Sequence, residues 1–506
     1  MKLLYFPLIL LLIYSIDLKS YSNLDTIIYQ KKRIEFKVEF LNRNYWVESN
    51  LNELLLIKDY ETGKNIRWDF LIYNKKLNEI YSEKILMDRS FTLYEKQSEN
   101  KDFNILYKKE YSNEKEYLLI KIRSDSSKIV RHQIKLPISS TILDFIILDD
   151  LFIFSSTTKK REYLLSIYNT KNKRYKNLHA SLSINEKIIT INKINSNKFE
   201  INVLTEKLDR SNSISKREYN IEGNEIERIT ISLNDKSIIN GKFYKIDNNI
   251  IGIGFYGLMN SSSPQGIYIS SHINQAMEFI KIYNFYELPN FYTDNNKQRK
   301  NILKKIKNNR FDKIRQNHNF VFNSFFKFNE TFIFSAESLI LNYNSDGKYS
   351  YIPFYNTYSG TYDKMINPNF KGYDHTKMLL TSFDLNGNIN WNTTYIINNL
   401  NTFNKVVYFN NLIYKEKILS FYVSKGYFNY GLVNKINNKF TFKSIPLILK
   451  YKNDIIKETE NNPEGTSLWY NNNYYTYGIQ KIKNTLNNKV KVNRRVFFIS
   501  NFEIIK

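Results

Sequence analysis

Short runs in which apolar and polar residues alternate recur from one end of this chain to the other. Phe199, Ile201 and Val203 alternate with Glu200 and Asn202, the pattern of a strand with one buried face. Ile188-Ile189-Thr190-Ile191 leads into it through the polar turn Asn195-Ser196-Asn197. Leu151-Phe152-Ile153-Phe154 and Tyr163-Leu164-Leu165-Ser166-Ile167 flank the basic loop Lys159-Lys160-Arg161 and read as a hairpin, and Phe497-Phe498-Ile499 reads as a late strand. The 40 tyrosines and 35 phenylalanines favour strands over helices. With only 15 glycines and 8 prolines, turns fall mainly to Asn, Asp, Ser and Lys, and Asn tolerates positive φ. A single sandwich absorbs 506 residues poorly, whereas a propeller adds one small sheet per blade around one axis. The expected fold is all-β, a β-propeller-like repeat architecture.

A weak internal repeat points the same way. Asp384-Leu385-Asn386-Gly387-Asn388-Ile389-Asn390-Trp391 joins an Asx-Gly turn to a tryptophan, and Thr62-Gly63-Lys64-Asn65-Ile66-Arg67-Trp68 echoes it loosely. Ile221-Glu222-Gly223-Asn224 and Ser345-Asp346-Gly347-Lys348 punctuate strands without a tryptophan. In such a turn glycine takes positive φ while the following aromatic packs between blades.

One stretch breaks the β pattern. From Asp294 to His318 the chain carries Lys297, Arg299, Lys300, Lys304, Lys305, Lys307, Arg310, Lys313 and Arg315, with Ile302, Leu303, Ile306 and Ile314 at helical spacing. It reads as a short basic helical or disordered insertion, able to lie on an anionic envelope surface or to act as a solvated connector. The organisation expected is a signal peptide at 1–22, blades over 23–290, the basic insertion at 291–318, and further blades over 319–506 closing the same domain.

Residues 1–22 have the form of a secretory leader. Lys2 precedes an apolar run from Leu3 to Ile16, and Ser20-Tyr21-Ser22 offers small residues for cleavage. The run is short for a ~30 Å hydrocarbon core, so the mature chain is expected in the periplasm or at the cell surface, without a transmembrane span. The absence of cysteine excludes disulfides, thiolate metal sites, cysteine nucleophiles and the acylated cysteine of a lipoprotein. A formal charge of +25 suits anionic partners. Lys, Asn, Ile and Tyr are inflated together, however, as AT-rich coding produces, and nucleic acid is not favoured.

Gly252-Ile253-Gly254-Phe255-Tyr256-Gly257 matches a dinucleotide-binding pattern literally, but Asn260-Ser261-Ser262-Ser263-Pro264 leaves no helix to receive a pyrophosphate. The glycines fit a strand where backbones approach closely. His132, His179, His272, His318 and His375 lack zincin spacing, and there is no nucleophile elbow. No catalytic residue, cofactor or metal ligand is therefore assigned. Gly372-Tyr373-Asp374-His375-Thr376 is the most chemically varied short segment, so Tyr373, Asp374 and His375, together with Lys304, Lys305, Lys307 and Arg310, are the candidate ligand or partner contacts. Trp469-Tyr470-Asn471-Asn472-Asn473-Tyr474-Tyr475 reads either as a sugar-stacking platform or as blade strand and turn.

Phe370 to His375, Ser382 to Asn392, and the tail from Trp469 through Arg494-Arg495-Val496-Phe497 resemble, in order, a family of uncharacterised exported proteins from Bacteroidota. The resemblance covers roughly residues 140 to 506. It implies an exported, propeller-like protein and carries no mechanism; Asn392 stands where that family usually has an acidic residue. The expected function is a non-enzymatic binding or scaffold protein of the bacterial envelope. The alternative is a glycan-active hydrolase with carboxylates gathered at the propeller axis.

Overall fold

The computed structural model describes residues 28–505 apart from 40–41, 100–101, 111–115, 124–127, 137–139, 159, 161, 179–181, 260–262, 289, 292–299, 302–303, 306, 309–318, 344–350, 357–360, 367–369, 404, 415, 434–439 and 488–489. The leader expected at 1–22, with the rest of 1–27, lies outside the described residues.

The alternating runs become antiparallel strands, grouped in eight four-stranded sheets. Each sheet is a meander that begins at an innermost strand and steps outward. The first seven blades are β2–β5 (42–88), β6–β9 (91–135), β10–β13 (140–177), β14–β17 (186–231), β18–β21 (237–284), β22, β23, β26 and β27 (319–402), and β28–β31 (410–446). The eighth is made of β32 (Ile455–Tyr470), β33 (Asn473–Lys483) and β34 (Asn493–Ile504), with β1 (Ile28–Lys37) from the other end of the chain as its outermost strand. The molecule is thus an eight-bladed β-propeller whose ring is closed by pairing its first strand with its last.

Apolar clusters fill the gaps between neighbouring blades. Leu55, Ile57, Trp68, Phe70, Phe103, Ile105 and Tyr107 lie between blades 1 and 2. Phe255, Phe285, Phe320 and Phe334 form an aromatic core between blades 5 and 6, with ring centroids 4.8 to 6.2 Å apart; each such pair is worth about 0.5–1.5 kcal/mol beyond area burial. The GxGxxG segment is β19 (Asn249–Gly257) in that fifth blade. A Cβ on Gly254 would stand 2.1 Å from the carbonyl oxygen of Asn240, so close backbone approach explains this glycine.

The repeat read from the sequence sits in the fold differently from its appearance. Asn74, Asn220 and Asp384 each open the turn between the two outer strands of blades 1, 4 and 6. In every case the first residue's N–H donates to the carbonyl of the fifth, and the fourth residue's N–H donates back to the first. The Asx side chain accepts the fifth residue's amide, and the fourth, Leu77, Gly223 or Gly387, has positive φ. The Thr62-Gly63 turn lies one strand inward of this position. Trp68 and Trp391 nonetheless both pack between blades, 1 against 2 and 6 against 7. Ser345–Lys348 lies outside the described residues.

In a meander, the turn between the two middle strands and the connection to the next blade fall on one face, here termed upper. Blade 6 carries two long upper connections: residues 285–318 before β22 (Asn319–Phe328), and a hairpin of β24 (Tyr351–Asn356) and β25 (Thr361–Ile366) between β23 (Thr331–Tyr343) and β26 (Phe370–Asp384). Of the basic stretch, Lys300, Asn301, Lys304, Lys305 and Lys307 have helical backbone, most of its other residues lie outside the described residues, and no helix of seven or more residues is present among those described. No helix among the described residues is long and apolar enough to cross a membrane.

Candidate functional site at the propeller axis

The innermost strands carry the polar groups that sequence reading did not single out. In blades 2 to 6 each innermost strand has a register shift near its start, between Leu93 and Glu95, Ile142 and Asp144, Ile188 and Thr190, Ile238 and Asn240, and Phe322 and Ser324. A bulge of this kind re-aims the side chains beside it. The residue that follows the bulge is polar in all five blades: Glu95, Asp144, Thr190, Asn240 and Ser324.

These and adjacent inner-strand groups stitch one blade to the next. The Tyr94 hydroxyl donates to the Ile142 carbonyl and the Gln97 amide to the Phe145 carbonyl, each across 48 residues. Asp144 Oδ2 accepts the amide of Ile191 at 2.9 Å, across 47 residues. Lys96 pairs with Glu48, and Ser98 Oγ donates to Glu48 Oε1 at 3.0 Å. Lys193 of blade 4 reaches Glu99 of blade 2, so side chains meet past the intervening blade.

Electrostatics follow from this crowding. Burial raises the Asp144 carboxyl above the usual carboxylate range, against the pull of the Ile191 and Phe145 amides. Desolvation by the channel wall also raises Glu95; the amide and charge of Lys96 oppose it, and the negative charges of Asp144 and Glu48 add to it. For Lys96 burial alone would lower the ammonium, but the Glu48 carboxylate holds it above its ordinary value.

The segment singled out by sequence divides. Tyr373 and Asp374 lie at the upper end of β26, where Phe370 stacks edge-on with Tyr373 at 5.3 Å and Asp374 accepts the side-chain amides of Asn342 and Asn401 at 2.9 and 2.8 Å. His375 is only 2% exposed. Its Nδ1 is 2.8 Å from Glu337 Oε2, and its Nε2 is 2.9 Å from Thr402 Oγ1. Glu337, fully buried, accepts the backbone amides of Tyr408 and Phe409 at 2.9 and 2.8 Å and the Asn323 side chain at 3.0 Å. This cluster fastens the strand entering blade 7, and it leaves His375 no opening to solvent. Lys304 and Lys307 are exposed and Lys305 half-exposed on the preceding upper connection; Arg310 lies outside the described residues. Trp469 is buried between blades 8 and 1, its indole donating to the Glu53 carbonyl at 3.1 Å, which makes the aromatic-amide tail a blade strand and turn. Among the described residues no group of three His, Asp or Glu side chains gathers as a metal site.

No family model matches this chain, and no curated protein matches it. Among solved structures it is similar to the polysaccharide lyase Uly1, at 8% identity and a TM-score of 0.40 over 81% of this chain and 89% of that one. It is also similar to a prolyl endopeptidase, at 7% identity and a TM-score of 0.40 over 88% of this chain and 55% of that one. A third is the β-propeller domain of the Trilobed protease from Pyrococcus furiosus, at 8% identity and a TM-score of 0.34 over 81% and 93%. At such values the activities of those proteins say nothing about this one.

Proposed function

We propose that this chain is an exported, non-enzymatic binding scaffold of the bacterial envelope, its leader removed at about residue 22. One observation carries the reading. The inner-ring carboxylates Glu48, Glu99 and Asp144 are engaged in joining blades, Glu48 with Lys96 and Ser98, Glu99 with Lys193, and Asp144 with backbone amides. A glycosidase needs two carboxyl groups free to exchange protons with substrate or water, and these are committed to structure. What a rigid ring of this kind offers is its upper face, where the basic connection before blade 6 and the β24–β25 hairpin project. In this reading Lys304, Lys305, Lys307 and Arg310 meet an anionic envelope partner, and Tyr373 and Asp374 support the base of the hairpin.

Cross-linking in the native envelope tests it. A defined partner recovered in near-stoichiometric amount, and lost when the four basic residues are neutralised, is the expected result. The glycan-active hydrolase is kept as a second reading on the strength of Glu95, whose carboxyl is shifted in the direction a general acid requires. Release of reducing ends from an envelope polysaccharide, abolished by Glu95→Gln, would overturn the scaffold reading in its favour.

A further inference from the structure

Between blades 1 and 2, on the upper face, the chain forms a cavity of about 520 Å³ lined by Trp46, Trp68, Phe91, Asp59, Arg89 and Glu110, among others. Its size falls in the roughly 300–1,000 Å³ range of small-molecule sites. Trp46 is half-buried and packs on Trp68 with ring centroids 5.5 Å apart, and Trp68 meets Tyr107 edge-on at 4.7 Å. Asp59 is held in place by the backbone and side-chain amides of Asn44 at 2.7 and 3.0 Å.

Two buried donors in and behind the cavity wall have no partner. The indole N–H of Trp68, a residue 1% exposed, has no hydrogen-bond partner, and neither has the hydroxyl of the fully buried Tyr107 behind it. A buried donor left without a partner is destabilising, so such groups are rare in folded proteins. Burial, with the nearby Asp59 charge adding to it, keeps Tyr107 protonated and therefore a donor.

We infer that this cavity is a binding site for a neutral sugar ring, such as the terminal residue of an envelope glycan. Aromatic walls suit the apolar faces of a pyranose. The unpaired indole N–H of Trp68, which lines the cavity, calls for a hydroxyl or ring oxygen as acceptor. The cavity is lined by two carboxylates, Asp59 and Glu110, against one guanidinium; Arg89 is paired with Glu61, and Glu110 with Lys108 at 3.6 Å, so the excess of one carboxylate remains. An acidic sugar or a phosphate would meet net negative charge there, which selects a neutral ligand. The inference rests on the scaffold reading, to which it adds a ligand class.

The full chain labelled with 5-fluorotryptophan gives four ¹⁹F resonances, one for each tryptophan. Titration with glucose, galactose, mannose, N-acetylglucosamine and glucuronate should move the Trp46 and Trp68 signals saturably with at least one neutral sugar, leaving Trp391 and Trp469 in place. Trp46→Ala should weaken binding about tenfold or more. No movement with any neutral sugar, equal or tighter binding of glucuronate, or shifts confined to Trp391 or Trp469 would overturn the assignment, and these readings stand even if Trp46→Ala does not fold. A partner recovered by cross-linking alongside a silent titration would remove the sugar site and leave the scaffold. Turnover of the bound glycan would remove the scaffold reading and leave the site.

Discussion

Between the sixth and seventh blades the chain runs on through covalent bonds, whereas at the eighth it must close the ring with a strand from the other end of the sequence. Both seams bury charge, in different ways. At the first, Glu337 gathers backbone amides, an asparagine amide and His375, so one carboxylate is satisfied largely by neutral partners. At the second, four charged side chains balance one another. Arg494 grips Asp454 through both terminal nitrogens and reaches Glu35 at 3.4 Å, while Arg33 donates to Glu35 at 2.8 Å and lies over the Phe498 ring at 4.2 Å. A linker whose path is dictated by chain continuity needs its amides capped. A strand arriving through space needs register, and paired charges penalise any misplacement of it.

The sharpest way to break this contrast is Glu337→Ala. It strands two buried amides and the His375 ring at once, and should cost about 3–5 kcal/mol, read as a lowered denaturant midpoint. Glu337→Gln, which keeps an acceptor oxygen, should cost clearly less.

Asp454→Ala should come next, at about 2–4 kcal/mol, because it leaves Arg494 short of its bidentate partner. It should also change the acid limb. Although burial alone would raise Asp454, hydrogen bonds from Arg494, Asn484 and the Tyr451 amide hold its carboxyl below the usual range. A depressed folded value means that the stabilisation is complete above the unfolded pKa of about 3.9 and is lost as pH falls through the lower folded value. Stability measured downward from pH 5 should therefore fall less steeply in Asp454→Asn than in the parent chain.

Smaller effects should mark the inner ring. Lys96 and Glu48 are about a quarter and a fifth exposed, so Lys96→Met should cost under ~1 kcal/mol, with the loss shrinking further in high salt. The finest test is additivity. Glu337→Ala and Asp454→Ala should combine within ~0.5 kcal/mol if the two seams act independently; a larger coupling would mean that strain passes around the ring.

Much of this fold was legible because its signals are local. Phe199, Ile201 and Val203 are buried in one strand as their alternation requires, and the Asp384 and Gly223 turns lie where their sequences put them. The Thr62-Gly63 echo misled because a glycine turn of similar composition serves two different positions in a blade. Asn74-Lys75-Lys76-Leu77-Asn78, the true counterpart, was hidden by a leucine at positive φ. His375 drew notice by its chemistry, yet that chemistry is spent on Glu337, 38 residues away.

Sequence alone determined that the chain is a succession of short strands, where many of its turns fall, and that neither thiols nor a nucleotide loop enter its chemistry. Each of those follows from residues within a few positions of one another. Only the tertiary structure decided the number of blades, the polar ring after the bulges, the burial of His375 and the aromatic cavity of Trp46, Trp68 and Phe91. Those depend on contacts made one blade length apart, or, between Arg33 and Gln480, across 447 residues. At such separations no periodicity in the chain records which side chains will meet.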